Sequence, residues 1–292
     1  MPFRTDLAME GAQPHSGNLP NGITQDERSF GNLKINTVEV TDQEAAQLIG
    51  KPQGKYVTVI TPPFHSAVDV DEEEIIKIAD EISSFLPKDG LALVVGLGNN
   101  DITPDAIGPR TVHQVLATRH FNAEAAKQAG LGDLRPTAAI APGVLGQTGI
   151  ETSEIIKSIV NDIKPSVVIV IDALAARDTS RLGNTIQIAD SGISPGSGVQ
   201  NSRKELSTET LGIPVVSIGI PTVVDATTFA NDIMSGKGQD TGAPLNGNPD
   251  TMMITPREID VLIGHACKTL ALAINKALHS EMTLEEISYL VS

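Results

Sequence analysis

Apolar residues along this chain alternate between two patterns: short continuous runs and longer stretches of helical period. Leu91–Val95 and Ser166–Ile171 are short apolar runs, the pattern of strands covered on both faces, and Thr185–Ala189 and Pro214–Ile220 read as two further strands. Leu33–Val40 alternates apolar with polar residues and predicts a half-exposed strand; Lys55–Ile60 predicts another, stopped by Pro62 and Pro63. These two are expected to pair antiparallel or to extend one edge of the main sheet.

Helical spacing comes between them. Val70–Leu86 opens on acids and places Ile75, Ile76, Ala79, Ile82 and Leu86 on one face. Glu151–Ile163 is amphipathic and ends before Pro165, and Asp42–Ile49 predicts a short helix closed by Gly50 and Pro52. Thr103 as N-cap with Pro104 following predicts a helix running through Thr111–Thr118. Pro221–Asn231 is expected to begin another helix, and Thr255 with Pro256 to open a last one through about Leu278. Leu134–Gly149 reads as a short strand or extended loop, and Ser235–Asp250 as a surface loop. Residues 1–30 read as an irregular arm whose one ordered-looking piece is Arg4–Glu10. The alternation predicts a single α/β domain over residues 31–292, a mainly parallel twisted sheet with helices on both faces.

Composition narrows the function classes. Hydrophobic residues make up 40% of the 292 positions and aromatics only 3%, so the core is built from Val, Ile, Leu and Ala. A net charge of −15 argues against nucleic acid or an anionic membrane as a direct partner. Cys267 is the one cysteine, which excludes an internal disulfide and fits a reducing compartment; its small neighbours in GHACKTLALAI suit a packed thiol. No stretch approaches about 18 uninterrupted apolar residues, and MPFRTDLAMEGAQ lacks a secretory layout, so the chain reads as a soluble intracellular protein.

The candidate chemistry gathers around two acids. Asp105 falls in the first turn after the Leu91 strand, and Asp172 follows the Ser166–Ile171 run in IDALAAR. In open α/β sheets, groups beyond the carboxyl ends of strands line the ligand crevice. Two carboxylates there can divide labour on one water, one ionised as base and one protonated as acid. The spacing equally allows Asp105 merely to favour a helix start and Asp172 to cap a loop.

Asn99, Thr103 and Arg177 are near enough in sequence to orient the pair. GLGN at Gly96–Asn99 lacks the third glycine of a dinucleotide loop, which would fall at Asp101, so its glycines are read as a sharp turn beside a site. Gly192–Gly196 matches G-x-S-x-G, but Pro195 after Ser194 has no N–H for an oxyanion. His113 and His120, placed on one helix two turns apart, do not make a shared metal site, and no metal or organic cofactor is expected. Two other readings stay open: a metal-assisted maturation-type peptidase, and a non-enzymatic protein holding phosphate or nucleotide in its glycine loops.

Ordered blocks over nearly the whole chain resemble the germination proteases of spore-forming bacteria, the GPR endopeptidases. They are RTDLA at Arg4–Ala8, GKPQGKYVTV at Gly50–Val59, VVGLGN and TPDAIGPR within Val94–Arg110, APGVLGQTGIETSEII at Ala141–Ile156, IDALAAR at Ile171–Arg177, TIQIADSGISPGSGV at Thr185–Val199, KELS at Lys204–Ser207 and GIPTVVDA at Gly219–Ala226. The resemblance implies an atypical aspartic endopeptidase with a fold similar to hydrogenase-maturation proteases. It implies catalytic aspartates at Asp105 and Asp172, and small acid-soluble spore proteins as substrate, degraded at germination. A homotetramer made as a self-processing zymogen, in the cytoplasm of the forespore or spore core, is implied as well. The segment Arg4, Thr5, Asp6, Leu7, Ala8, Met9 and Glu10 is the expected self-cleavage region, which leaves room for only a short propeptide.

Overall fold

The computed structural model describes residues 5–12, 19–66, 70–121, 134–194, 204–226, 228–230 and 252–291. A one-turn helix α1 (Ala8–Gly11) precedes an antiparallel hairpin, β1 (Ile23–Phe30) and β2 (Leu33–Val40). Then come α2 (Gln43–Ile49), β3 (Gly54–Ile60), α3 (Glu72–Ser83), β4 (Ala92–Gly96) and α4 (Ile107–Val112). β5 (Thr137–Ile140), α5 (Leu145–Thr148), α6 (Thr152–Ile163), β6 (Val167–Ala176) and β7 (Thr185–Ala189) follow. The chain continues through α7 (Thr208–Leu211), β8 (Val215–Asp225), β9 (Met253–Ile254), α8 (Ile259–Leu278) and α9 (Leu284–Val291).

One nine-stranded sheet runs β1-β2-β3-β7-β8-β6-β4-β5, with β9 on the end of β8. The α/β architecture expected from the alternation is present. Parallel pairing, however, is confined to β5, β4, β6 and β8, while β7, β3, β2 and β1 pair antiparallel, so the sheet is mixed rather than mainly parallel. The switch lies at β8, parallel to β6 and antiparallel to β7. Hairpin and edge strands need no helical crossover, so the antiparallel half carries fewer helices.

One face of the sheet is covered by the larger apolar cluster. Ile75, Ile78 and Ile82 of α3, Ile107 of α4 and Leu270 and Ile274 of α8 pack there on Ile35, Val57, Ile169, Ile171, Ile186 and Ile218. α8 is long and apolar enough to span a bilayer by length and composition, but much of its surface is spent in this core. On the opposite face α6 supplies Ile156 and Val160 against Val168, Val170, Leu93 and Val95. Farther along, Leu7, Ala8 and Ala12 cover the same face.

Several boundaries differ from the sequence expectation, each for an identifiable reason. Ile23–Phe30, inside the arm read as irregular, is an edge strand; all but its first residue are exposed, so it carries no apolar signature. The turn at Thr103–Asp105 is 3₁₀, and the helix after it stops at Val112 instead of reaching Thr118. There Asn275 of α8 takes the main chain over: its amide oxygen accepts from Leu116 N at 2.9 Å and its Nδ2 donates to Gln114 O at 2.8 Å. His113 and His120 therefore do not share a helix; His120 instead lies against Phe121.

Asp172 is not at the end of its strand, because β6 continues through small apolar residues to Ala176. Likewise Pro221 does not open a helix. β8 runs through it to Asp225, with a register shift opposite Leu174 and Ala175, the kind of irregularity that tolerates a residue without an N–H. Thr255 caps nothing; its hydroxyl donates to Thr222 O at 2.9 Å, and α8 begins at Ile259. A further helix, α9, follows the one expected to be last. Arg4, Pro195, Gly196 and the Ser235–Asp250 loop lie outside the described residues.

Candidate active site

β4 stops at Gly96, paired with Ile171, and one more bond from Leu97 N to Ile171 O at 2.8 Å carries the chain past the strand end. Gly98 then turns at φ +110°, a conformation open to glycine. The turn returns the main-chain N–H of Asn99 to Asp105, donating to its Oδ2 at 2.8 Å. So Asn99 supports Asp105 through its backbone, while its side-chain oxygen accepts from Asp101 N and Gln147 Nε2.

Two contacts fix the Asp105 turn against the sheet. Gly108 sits so close that a Cβ there would lie 2.2 Å from Leu97 O and 2.6 Å from Ile171 O, the carbonyl just before Asp172. From the other side, Thr222 stands in the bulge of β8, where Pro221 and Val223 pair with consecutive residues of β6. The bulge aims its hydroxyl at Pro104 O, to which it donates at 2.7 Å. Thr103 turns away from this centre, donating to Asp260 at 3.1 Å.

Asp172 projects from β6 on the face shared with Val168 and Val170, and is buried, with Oδ1 accepting from Ala173 N at 2.9 Å. Asp105 and Asp172 both line one cavity of about 660 Å³, together with Lys51, Gly98, Leu174, Gln187, Ser194, Gly219 and Thr222. The same cavity is lined by Thr5 and Asp6. Among the described residues no group of three or more His, Cys, Asp or Glu side chains is placed to hold a metal ion.

The N-terminal segment is bound along this face by an ordered set of contacts. Asp6 grips Ala175 twice: its N–H donates to Ala175 O and its carboxylate accepts from Ala175 N, both at 2.8 Å. Leu7 is fully buried among Leu174, Ala176, Leu182 and Val224. The Gln187 amide spans that residue, Nε2 donating to Asp6 O at 2.9 Å and Oε1 accepting from Ala8 N at 2.7 Å. Glu10 accepts from Arg177 N at 2.9 Å and Asp178 N at 3.0 Å, and from the Thr5 hydroxyl. Arg177 thus meets the segment through its main chain and does not line the cavity. Burial lowers the Lys51 ammonium below its ordinary pKa, and the Asp6 and Glu10 carboxylates pull it back up.

A polar row crosses the sheet at this level. Asp172 is opposite Gly219, Gly219 opposite Gln187, Gln187 opposite Thr58, and Thr58 opposite Asn36. Residues directly opposite share a face, so Gln187 and Asp172 point the same way. Thr58 Oγ1 and Asn36 Oδ1 are buried without a hydrogen-bond partner. Sequence reasoning missed Gln187, Lys51 and Thr222. The one available signal for Gln187 was a lone amide inside the apolar run TIQIA. Cys267 is buried, its thiol pushed up to about 11 by desolvation, in keeping with a packing role.

Known proteins match the chain over most of its length. A family model described as germination protease covers residues 5–236. A germination protease of Clostridium acetobutylicum is 40% identical over 324 residues, spanning 99% of each chain. That of Bacillus subtilis is 44% identical over 266 residues, 87% of this chain and 72% of its own. Among solved structures, the chain is similar to the [NiFe] hydrogenase maturation protease HycI from Thermococcus kodakarensis KOD1, with a TM-score of 0.39 and 18% identity over 68% of this chain and 98% of that one.

Proposed function

Since this chain belongs to the germination protease family, and is thereby a peptidase, we propose that Asp105 and Asp172 are its catalytic pair, an aspartic centre acting on small acid-soluble spore proteins. The observation that carries this reading is the cavity that both acids line, which the N-terminal segment enters through Thr5 and Asp6. One carboxylate, ionised, takes a proton from a water as its oxygen attacks the peptide carbonyl carbon. The other, protonated, hydrogen-bonds the carbonyl oxygen, and the nitrogen gains a proton as the C–N bond breaks. No metal or organic cofactor takes part.

The segment Thr5–Glu10, with Arg4 before it, is the self-substrate. It lies on the sheet, extended at Leu7 and turning into α1 from Ala8, its main chain held at residues 6 and 8, in the cavity that both acids line. A zymogen that removes this segment itself opens its own cleft by doing so. The working assembly is a homotetramer, in the forespore or spore core where its substrates are.

The test is cleavage of a small acid-soluble spore protein by the wild type, Asp105→Asn and Asp172→Asn, with and without chelator, while the enzyme's own N-terminus is sequenced. Either substitution should lower the rate by at least about 10³-fold, at the upper part of what positioned acid–base groups supply. Wild-type cleavage should be indifferent to chelator, and a new N-terminus should appear near Arg4–Glu10. Full activity in either variant would remove the two-carboxylate mechanism, and chelator-sensitive cleavage would replace it with a metal-assisted one.

A further inference from the structure

Gln187 carries an inference beyond the acid pair. Its amide is buried in an apolar strand, and the hydrogen bonds at its two ends go to main-chain groups of residues 6 and 8. A glutamine that reads a carbonyl on one side of a residue and the N–H on the other recognises extended backbone, whatever the side chains. Should the segment leave, the donor and acceptor of this amide would be free for another backbone entering the same cavity.

Its position suits that replacement. Gln187 and Asp172 both partner Gly219, so two strand spacings, about 10 Å, separate their α-carbons. Gly219 carries no side chain and leaves its place to Leu174, whose Cγ would lie 2.5 Å from a Cβ there, and Gln187 and the carboxylate line the same cavity.

We infer that Gln187 is the positioning residue of the substrate cleft, clamping the main chain of an incoming peptide as it clamps residues 6–8. This rests on the peptidase reading of Asp105 and Asp172. It makes the bound N-terminal segment and the substrate competitors for one groove. Affinity from this clamp comes from an unbranched, extended stretch with a free N–H two residues after the gripped carbonyl. A proline at that second position forfeits it.

The experiment uses a synthetic peptide copying residues 4–12 and its analogue with an ester oxygen in place of the N–H at the position of Ala8. Both are offered to wild type, Gln187→Leu and Gln187→Glu, after thermal melts have confirmed folding. For wild type the ester should raise KM about tenfold with kcat changed far less, the usual order for one lost buried hydrogen bond. Gln187→Leu should show the raised KM on both peptides and no further ester penalty. Gln187→Glu, which keeps the acceptor, should retain the ester penalty. An equal ester penalty in wild type and Gln187→Leu overturns the assignment while leaving the acid pair intact.

If even wild type cleaves neither peptide, the peptidase reading fails, and amide exchange in the full chain bearing Asp172→Asn decides Gln187 separately. Loss of protection at the Ala8 amide in Gln187→Leu, with retention in Gln187→Glu, supports the clamp. Unchanged protection in both overturns it.

Discussion

Asp172 and Gln187 approach Gly219 from opposite sides, one across the parallel pairing of β6 with β8 and the other across the antiparallel pairing of β8 with β7. The place where the sheet changes pairing direction is thus the place where an acid and a backbone-reading amide come level. In doubly wound sheets the crevice forms where strand connections diverge. Here the divergence is one of direction, and the N-terminal segment fills the resulting space.

Gly108→Ala should damage catalysis more than its size suggests. The added methyl would sit 2.2 Å from Leu97 O, so the turn bearing Asp105 must move off β4 and β6. The expected cost is about 1–3 kcal/mol in chemical denaturation, typical of overpacking. Peptide cleavage is expected to fall at least about tenfold, since a misplacement near 1 Å is enough for such losses.

Thr222→Val keeps shape but removes the hydroxyl that holds Pro104 O. Stability should fall by about 1 kcal/mol. The loss in kcat should exceed the change in KM, because the residue acts on the carrier of Asp105 rather than on peptide binding.

Leu7→Ala should loosen the docked segment without touching the sheet. Its side chain is wholly enclosed by Leu174, Ala176, Leu182 and Val224. Truncation there should remove about 2–5 kcal/mol of packing. In a chain silenced by Asp172→Asn, amide exchange at residues 6–10 should accelerate, and an added unrelated protease should trim the segment faster. Unchanged exchange would mean that the polar grips on Asp6 and Glu10 suffice alone.

Acid sensitivity should trace in part to His279. It is buried at the end of α8, and desolvation, opposed by the Leu116 main chain and aided by Arg135, lowers its pKa to about 4. The folded protein therefore binds this proton later than the unfolded chain, whose histidine titrates near 6.5. Above that value His279 contributes nothing to pH dependence. Between 6.5 and about 4 the unfolded state gains the proton and the fold loses stability, by about 2 kcal/mol at pH 5 from the separation of the two values. Denaturant titrations at pH 7 and pH 5 should show that difference shrink in His279→Leu; an unchanged difference would exonerate His279.

Much of this was legible in the primary structure, and the rest was hidden for physical reasons. Leu91–Val95 and Ser166–Ile171 announced themselves because strands buried on both faces need unbroken apolar runs. Asp105 and Asp172 stood out as acids where those runs break, and they do share a cavity. The break at Asp172 was read as the end of a strand, when only the environment of the strand changes there: past it the same face meets Leu7 instead of α6. β1 was invisible because an exposed edge strand has no apolar alternation to show. Gln187 was not singled out within its strand, since its partners at residues 6 and 8 lie at the far end of the chain, and only tertiary structure brings them together.

The two acids are held with unequal stiffness. Asp172 belongs to a ten-residue strand bonded into the middle of the sheet, whereas Asp105 rides on a short 3₁₀ turn held by the hydroxyls of Thr222 and Thr103, the Asn99 amide and the fit of a glycine. Warming should soften the second mounting long before it loosens the first. Turnover should accordingly fade at temperatures where the sheet is still intact, and return on cooling, so that the pair behaves as a fixed jaw and a sprung one.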